Sequence, residues 1–279
     1  MTRDPTWESD EAASRVRIGA LGWLLVLLRG SIFVAVTFGG LAVLLFVRLI
    51  ERPFFGIRRP WTPFITQFVC RTAFRVFGMQ YQSHGVSMAH PGAVVSNHSS
   101  WMDIFVLNAT DRVYFVAKSE VAAWPGIGWL ARATGTVFIR RSARDAGAQK
   151  RVFEDRLGAG HRLLFFPEGT STDGRQVLPF KPTLFAAFFA ERLRDNLWVQ
   201  PVTVRYQAPE GEEDRFYGWW GDMDFAPHLL KVLAARRQGG VELIWHRPLR
   251  IAEFADRKAL AKEAGEAVSG AYTDDGTEA

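Results

Sequence analysis

Val94-Val95-Ser96-Asn97-His98-Ser99-Ser100-Trp101-Met102-Asp103 is the stretch from which the rest of this chain can be read. A β-branched pair runs into a polar turn, and two serines precede the apolar segment 101–107, a pattern of strand, loop and helix start. A histidine therefore stands between a strand end and a helix N-terminus. On one continuous helix five residues turn through about 500°, which would leave His98 and Asp103 on different faces. They meet only if His98 precedes the helix. With Ser99 or Ser100 as N-cap, Asp103 falls in the first turn and a carboxylate–imidazole hydrogen bond becomes feasible. Such a bond fixes the tautomer and stabilises the protonated ring, as a general base that removes a hydroxyl proton requires. A second reading stands beside it: Ser100-x-x-Asp103 has the spacing of a capping box, with Asp103 favouring the helix dipole.

The chain has 279 residues, enough for one large domain or two small ones. Hydrophobic residues make up 48% and the net charge is +5, which excludes disorder and predicts a basic surface. A nucleic-acid partner would want basic residues interleaved with exposed aromatics on a recognisable module, and no such module is present. Many arginines instead flank apolar segments, which points to anionic lipid headgroups or an acidic carrier. Cys70 is the only cysteine, so an internal disulfide and a cysteine-rich metal site are excluded and a reducing cytoplasmic setting follows.

Residues 1–14 are polar and read as loose. Residues 18–50 are dominated by apolar side chains, interrupted at Arg29-Gly30-Ser31 and Gly39-Gly40. This is too long for a secretory signal's apolar core, and residues 31–47 approach the roughly 20 residues of a spanning helix. Arg15 and Arg17 precede the run; Arg48, Arg52, Arg58 and Arg59 follow it. Basic residues on both sides fit a segment that dips in and returns as well as one that crosses. Trp61, Ile65, Phe68, Val69 and Val76 then fall within about a 100° arc at helical period, beside Arg71 and Arg75, an interfacial helix pattern whose arginines would reach headgroups. The same stripe also fits a helix covering a soluble core.

From Gly92 onward short apolar runs at 93–96, 113–117, 136–139, 163–166, 198–204 and 241–245 read as strands. Helical stretches at 100–107, 145–157 and 183–194 lie between them. This alternation predicts an α/β layer with a mostly parallel central sheet flanked by helices, its active site beyond the strand ends. The expected organisation is an N-terminal membrane-anchoring helical segment over 1–77, an α/β domain over 78–265 and an exposed tail over 266–279.

A second polar stretch follows a buried strand, Phe166-Pro167-Glu168-Gly169-Thr170-Ser171-Thr172-Asp173-Gly174, where a carboxylate, a glycine and hydroxyls arrive together. Ser171 lacks the G-x-S-x-G elbow of a hydrolase nucleophile. Gly126-Ile127-Gly128-Trp129-Leu130-Ala131 matches G-x-G-x-x-A, yet Trp124-Pro125 stands where a dinucleotide fold needs a strand, so it reads as a helix start. The six histidines show no H-x-x-x-H or comparable pairing, which argues against a metal site.

The block from Asn97 to Asp103, followed by Phe166-Pro167-Glu168-Gly169-Thr170, resembles the glycerolipid acyltransferase superfamily, that of the bacterial 1-acylglycerol-3-phosphate acyltransferases. Gly135-Thr136-Val137-Phe138-Ile139-Arg140-Arg141 is similar to its second motif and Val199-Gln200-Pro201-Val202 to its fourth, so four ordered blocks carry the likeness. The resemblance implies a membrane-associated O-acyltransferase at the cytoplasmic face of a bacterial inner membrane. His98, oriented by Asp103, would activate a lysolipid hydroxyl for attack on an acyl thioester of coenzyme A or acyl carrier protein, with no tightly bound cofactor. It further implies that Glu168, Gly169, Thr170 and the following Ser171 bind the acceptor, that Arg141 contacts its phosphate and that Lys181 occupies a commonly basic position. Two departures matter. Ser171 stands where the third motif usually has arginine, and Arg140 where the second commonly has an acid. They point toward the branch that acylates lyso-ornithine or related aminolipids. Helix-start amides after His98 are candidate oxyanion donors, and Glu168 or Asp173 a candidate partner for the acceptor amine. The alternatives are lysophosphatidate as acceptor, a thioesterase using the same base on water, and a non-catalytic membrane scaffold.

Overall fold

A computed structural model describes residues 7–9, 17–140 and 146–273. The chain opens with two long helices, α1 (Ala20–Phe55) and α2 (Thr62–Phe77). Then follow β1 (Gln80–His84), β2 (Gly92–Ser96), α3 (Asp103–Thr110), β3 (Val113–Lys118), α4 (Ile127–Thr134), β4 (Val137–Ile139), α5 (Ala146–Gly158) and β5 (Arg162–Phe165). A 3-10 segment (Pro182–Phe189), α6 (Glu191–Arg194), β6 (Trp198–Gln207), α7 (Phe225–Ala234), β7 (Gly240–Trp245), β8 (Leu249–Arg250) and α8 (Arg257–Thr273) complete it.

The strands form one sheet in the order β1-β7-β6-β2-β5-β3-β4, with β8 added beside β6. Pairings β2/β5, β2/β6, β3/β5, β3/β4 and β1/β7 are parallel, and β6/β7 and β6/β8 are antiparallel. The expected mostly parallel sheet flanked by helices is thus present. β2 is buried along its whole length, with Val94 in the core under α1, α2, α3 and α7, and Ala93 and Val95 in a second core under α5 and α8. Coverage on both faces is why the parallel strands read as continuous apolar runs rather than alternating ones.

α1 runs unbroken through both interruptions in its apolar run, and each makes a contact. The Arg29 guanidinium donates to the carbonyls of Leu233 and Ala235 at the end of α7. A Cβ at Gly40 would stand 2.3 Å from Val69 Cγ2, so the glycine lets α2 approach closely. At the turn between the helices, buried Glu51 accepts from the Trp61 and Thr62 amides and the Thr62 hydroxyl, which supplies the cap that the start of α2 lacks locally. On α2 the core-facing side chains are not those of the predicted stripe. Cys70, Ala73, Phe74 and Phe77 enter the core, while Trp61, Phe64 and Phe68 are exposed. Arg71 does not reach outward; its Nε donates to the Ala109 carbonyl near the end of α3.

Two expectations are corrected. The helix over 183–194 is a 3-10 segment followed by the short α6. The tail over 266–279 is not exposed throughout, because α8 continues to Thr273 and buries Val268 against the second core. Residues 1–6, 10–16 and 274–279, and with them most of the loose N-terminal stretch, lie outside the described residues.

Candidate active site

The β2 strand ends at Ser96, and the Asn97 side chain continues its pairing by donating to the Val204 carbonyl and accepting from the Val204 amide. This locks the departure angle of the loop. His98 comes next with its backbone held on both sides: its amide donates to Glu168 Oε1 at 2.6 Å and its carbonyl accepts from the Thr172 amide. The imidazole stacks on Phe166, with ring centroids 4.0 Å apart. Two chain segments beyond the ends of neighbouring strands β2 and β5 are thus tied together, where a parallel sheet collects its active site.

His98 Nδ1 lies 2.7 Å from Asp103 Oδ2, with 19% of the histidine side chain and none of the aspartate side chain exposed. Oδ2 also accepts from the amides of Ser99 at 2.9 Å and Ser100 at 3.1 Å, while Oδ1 accepts from the Tyr206 hydroxyl at 2.7 Å. Because a carboxylate accepts, Nδ1 carries the hydrogen and Nε2 keeps its lone pair. The geometry merges the two sequence readings: Asp103 both holds the imidazole and takes the loop amides ahead of the helix.

That arrangement corrects two expectations. The N-cap is Met102, not Ser99 or Ser100, because Asp103 itself opens α3 and draws both serine amides into the preceding turn. Those amides are then unavailable as oxyanion donors; Met102 N is likewise given to Ser100 Oγ and Asp103 N to the Ser100 carbonyl.

Glu168 is 1% exposed, and its second oxygen accepts from the Leu178 amide at 2.7 Å. Burial, opposed by those backbone hydrogen bonds, pushes its carboxyl up to about 8. Each oxygen accepts from a backbone amide, so Glu168 braces two loops. Asp173 is also buried, its Oδ1 accepting from the Arg175 amide. Gly169 closes the turn after β5 at φ 73°, its amide bonded to the Phe166 carbonyl. Thr170 and Ser171 follow half-buried, and Thr170 Oγ1 accepts from the Trp7 amide. Lys181 is exposed, its amide donating to the Pro167 carbonyl. Arg140 is exposed, and Arg141 lies outside the described residues. The G-x-G-x-x-A stretch opens α4.

A model of the family described as Acyltransferase matches residues 74–205. Over 94% of this chain and 94% of the other, the sequence is 57% identical to a "Lyso-ornithine lipid O-acyltransferase" of Rhodobacter capsulatus. The chain belongs to the acyltransferase family. A protein of the same name from Brucella abortus is 37% identical over 75% of this chain and 82% of its own. A "1-acyl-sn-glycerol-3-phosphate acyltransferase" of Neisseria gonorrhoeae is 31% identical over 67% and 72%. The crystal structure of the 1-acyl-sn-glycerophosphate acyltransferase PlsC of Thermotoga maritima shares the fold, with TM-score 0.65 and 22% identity over 92% of this chain and 97% of that one.

In this acyltransferase the residue that sequence reasoning missed is Tyr206. It stands 103 positions from Asp103 and reaches it only because β6 pairs with β2. Its hydroxyl is held protonated well above the usual range, by burial first and by the Asp103 charge. Strand β6 continues past the predicted 198–204 to Gln207, and that continuation was the available signal.

Proposed function

We propose that this acyltransferase moves a fatty acyl group from a thioester of coenzyme A or acyl carrier protein to the free hydroxyl of a lyso-ornithine-type aminolipid. The setting proposed is the cytoplasmic face of a bacterial inner membrane. The observation that carries the chemistry is the His98–Asp103 bond, which leaves Nε2 as the base on a partly exposed ring. Nε2 takes the hydroxyl proton as the oxygen attacks the thioester carbonyl. Collapse of the adduct breaks the C–S bond, and the imidazolium returns its proton to the departing thiolate. A thioester is already activated, so no covalent enzyme intermediate is needed, and general-base help of about 10²–10⁴-fold with positioning suffices. Ser171 in place of the motif's usual arginine removes a charge-assisted phosphate contact, which disfavours lysophosphatidate and agrees with the names of the relatives. Supporting the membrane setting, α1 is long and apolar enough to cross a bilayer.

The test is acyl transfer by the purified full chain, with either donor, to lyso-ornithine lipid, to lysophosphatidate or to water alone. Ester formation on lyso-ornithine lipid at the higher kcat/KM is expected, with none from His98→Ala. Ser171→Arg is expected to move the preference toward lysophosphatidate. Equal or better kcat/KM on lysophosphatidate overturns the acceptor; thiol release that ignores the acceptor makes the protein a thioesterase; turnover by His98→Ala removes the base.

A further inference from the structure

A cavity of about 510 Å³ lies between the α1–α2 turn and the starts of β3 and β5. It is at the far end of the strands from His98: His161 precedes β5 and Pro167 follows it, about 20 Å apart at about 3.3 Å per residue. Arg58, Arg59, Arg112 and Arg162 line it, and Asp111 is the one carboxylate among the described residues of the lining. That carboxylate is already engaged by Arg162 and the Ser87 hydroxyl.

Buried polar atoms gather around the same cavity. Of ten buried side-chain nitrogen and oxygen atoms without a hydrogen-bond partner among the described residues, five belong to Arg59, Arg156, His161 and Arg162. His161 lines the cavity and is 5% exposed, and its ring nitrogens meet only the Ile57 backbone, outside hydrogen-bonding geometry. Arg156 stands behind it, its guanidinium 4.8 Å from the centroid of the Tyr114 ring, which stacks on His161. Burial together with the surrounding guanidinium groups pushes His161 down to about 3 and Arg156 to about 10. Crowded like charges and buried groups without partners are unfavourable, and an anion in the cavity offsets the charge and offers acceptor oxygens to the guanidinium groups that line it. Around the cavity Phe55, Trp61 and Phe64 are exposed, continuing the apolar exposure of α1.

We infer that this cavity binds the phosphate group of an anionic phospholipid, at a site separate from acyl transfer. The exposed aromatic rim favours a phosphate that arrives on an apolar tail, and free phosphate presents the same oxygens. An acidic carrier protein is disfavoured because it would have to deliver its thioester to His98, at the other end of the sheet.

The test uses the detergent-solubilised full chain and measures binding of phosphatidylglycerol, phosphatidylcholine and inorganic phosphate by native mass spectrometry. The Arg58→Ala/Arg112→Ala variant removes two exposed side chains, so the fold and acyl transfer in detergent are expected to be unchanged. Phosphatidylglycerol is expected to bind about tenfold more tightly than phosphatidylcholine. That preference is expected to vanish in the variant, to return with Arg58→Lys/Arg112→Lys, and to survive Arg236→Ala/Arg237→Ala elsewhere on the surface. Tighter binding of phosphatidylglycerol than of inorganic phosphate identifies the lipid as the source. Equal binding, lost in the same variant, keeps the phosphate site and assigns it to the soluble anion. Equal affinity for the two lipids, or a preference that persists in the variant, overturns the proposal.

Discussion

Asp103 is the residue on which the site's geometry converges, with three hydrogen bonds arriving at one carboxylate oxygen and one at the other. The distribution decides what an asparagine would do there. The Ser99 and Ser100 amides both point at Oδ2, so they would hold the amide oxygen of Asp103→Asn in that place and turn its NH₂ toward the Tyr206 hydroxyl, which can accept. The histidine would keep its tautomer and lose only the negative charge that stabilises the imidazolium. Asp103→Asn is therefore expected to retain measurable transfer, well above His98→Ala, where a serine-protease-type tautomer error drops kcat about 10⁴-fold. Steady-state kinetics on both variants decide it; activities that fall to the same floor contradict the orientation argument. Tyr206→Phe removes one hydrogen bond to a charged group, of about 1.5–3 kcal/mol, and is expected to lower kcat by roughly tenfold with KM nearly unchanged. A rise in KM at constant kcat would make Tyr206 an acceptor contact instead.

Between elements, Glu168 joins the loop after β2 to the segment that follows β5 by accepting from both. Its folded pKa of about 8 lies above the unfolded value of about 4.3. The stability it contributes is therefore fully present below pH about 4.3 and lost as pH rises to about 8. Glu168→Gln turns an NH₂ toward one of the two backbone donors, so the variant is expected to be less stable at low pH, with its deficit narrowing as pH rises through that window. Melting curves in detergent across the range read this out, and a deficit that widens toward pH 8 reverses the assigned direction. At the contact of α1 with α2, Gly40→Ala is expected to destabilise by about 1–3 kcal/mol through overpacking on Val69, and Val69→Ala to restore part of the loss. The centre and the edge of the sheet differed in how plainly the sequence announced them. Residues 93–95 of β2 and 163–165 of β5 are covered on both faces, and all six are apolar. β1, Gln-Tyr-Gln-Ser-His, is an edge strand exposed along most of its length and carries no such signal. His98 and Asp103 were legible because they are five residues apart; Tyr206 and the two amides that hold Glu168 are brought in by pairing that spacing does not encode.

At the scale of the whole molecule, the first two helices face two environments at once. Phe33 of α1 and Phe74 and Phe77 of α2 belong to the same core as Val94, Val106 and Leu164, so the segment before β1 is part of the folded body and not a detachable anchor. Deleting residues 1–77 would uncover that core, and the expected product is an insoluble remainder rather than a released enzyme. The outer face of α1 is different. Leu27, Phe46, Leu49 and Phe54 are exposed to between 65% and 77%, on a helix about 54 Å long at about 1.5 Å per residue, more than the roughly 30 Å of a bilayer's hydrocarbon core. An apolar surface of this extent points to a membrane rather than water. Changing Leu27, Phe46 and Leu49 together to serine touches none of the core residues, so the variant is expected to keep its melting temperature and its acyl transfer in detergent while losing affinity for vesicles. Vesicle flotation of the unmodified chain, the triple variant and the 1–77 deletion separates the two faces of the segment. A triple variant that floats like the unmodified chain would place membrane contact elsewhere, and a soluble, active deletion product would show that α1 and α2 are dispensable to the core they line.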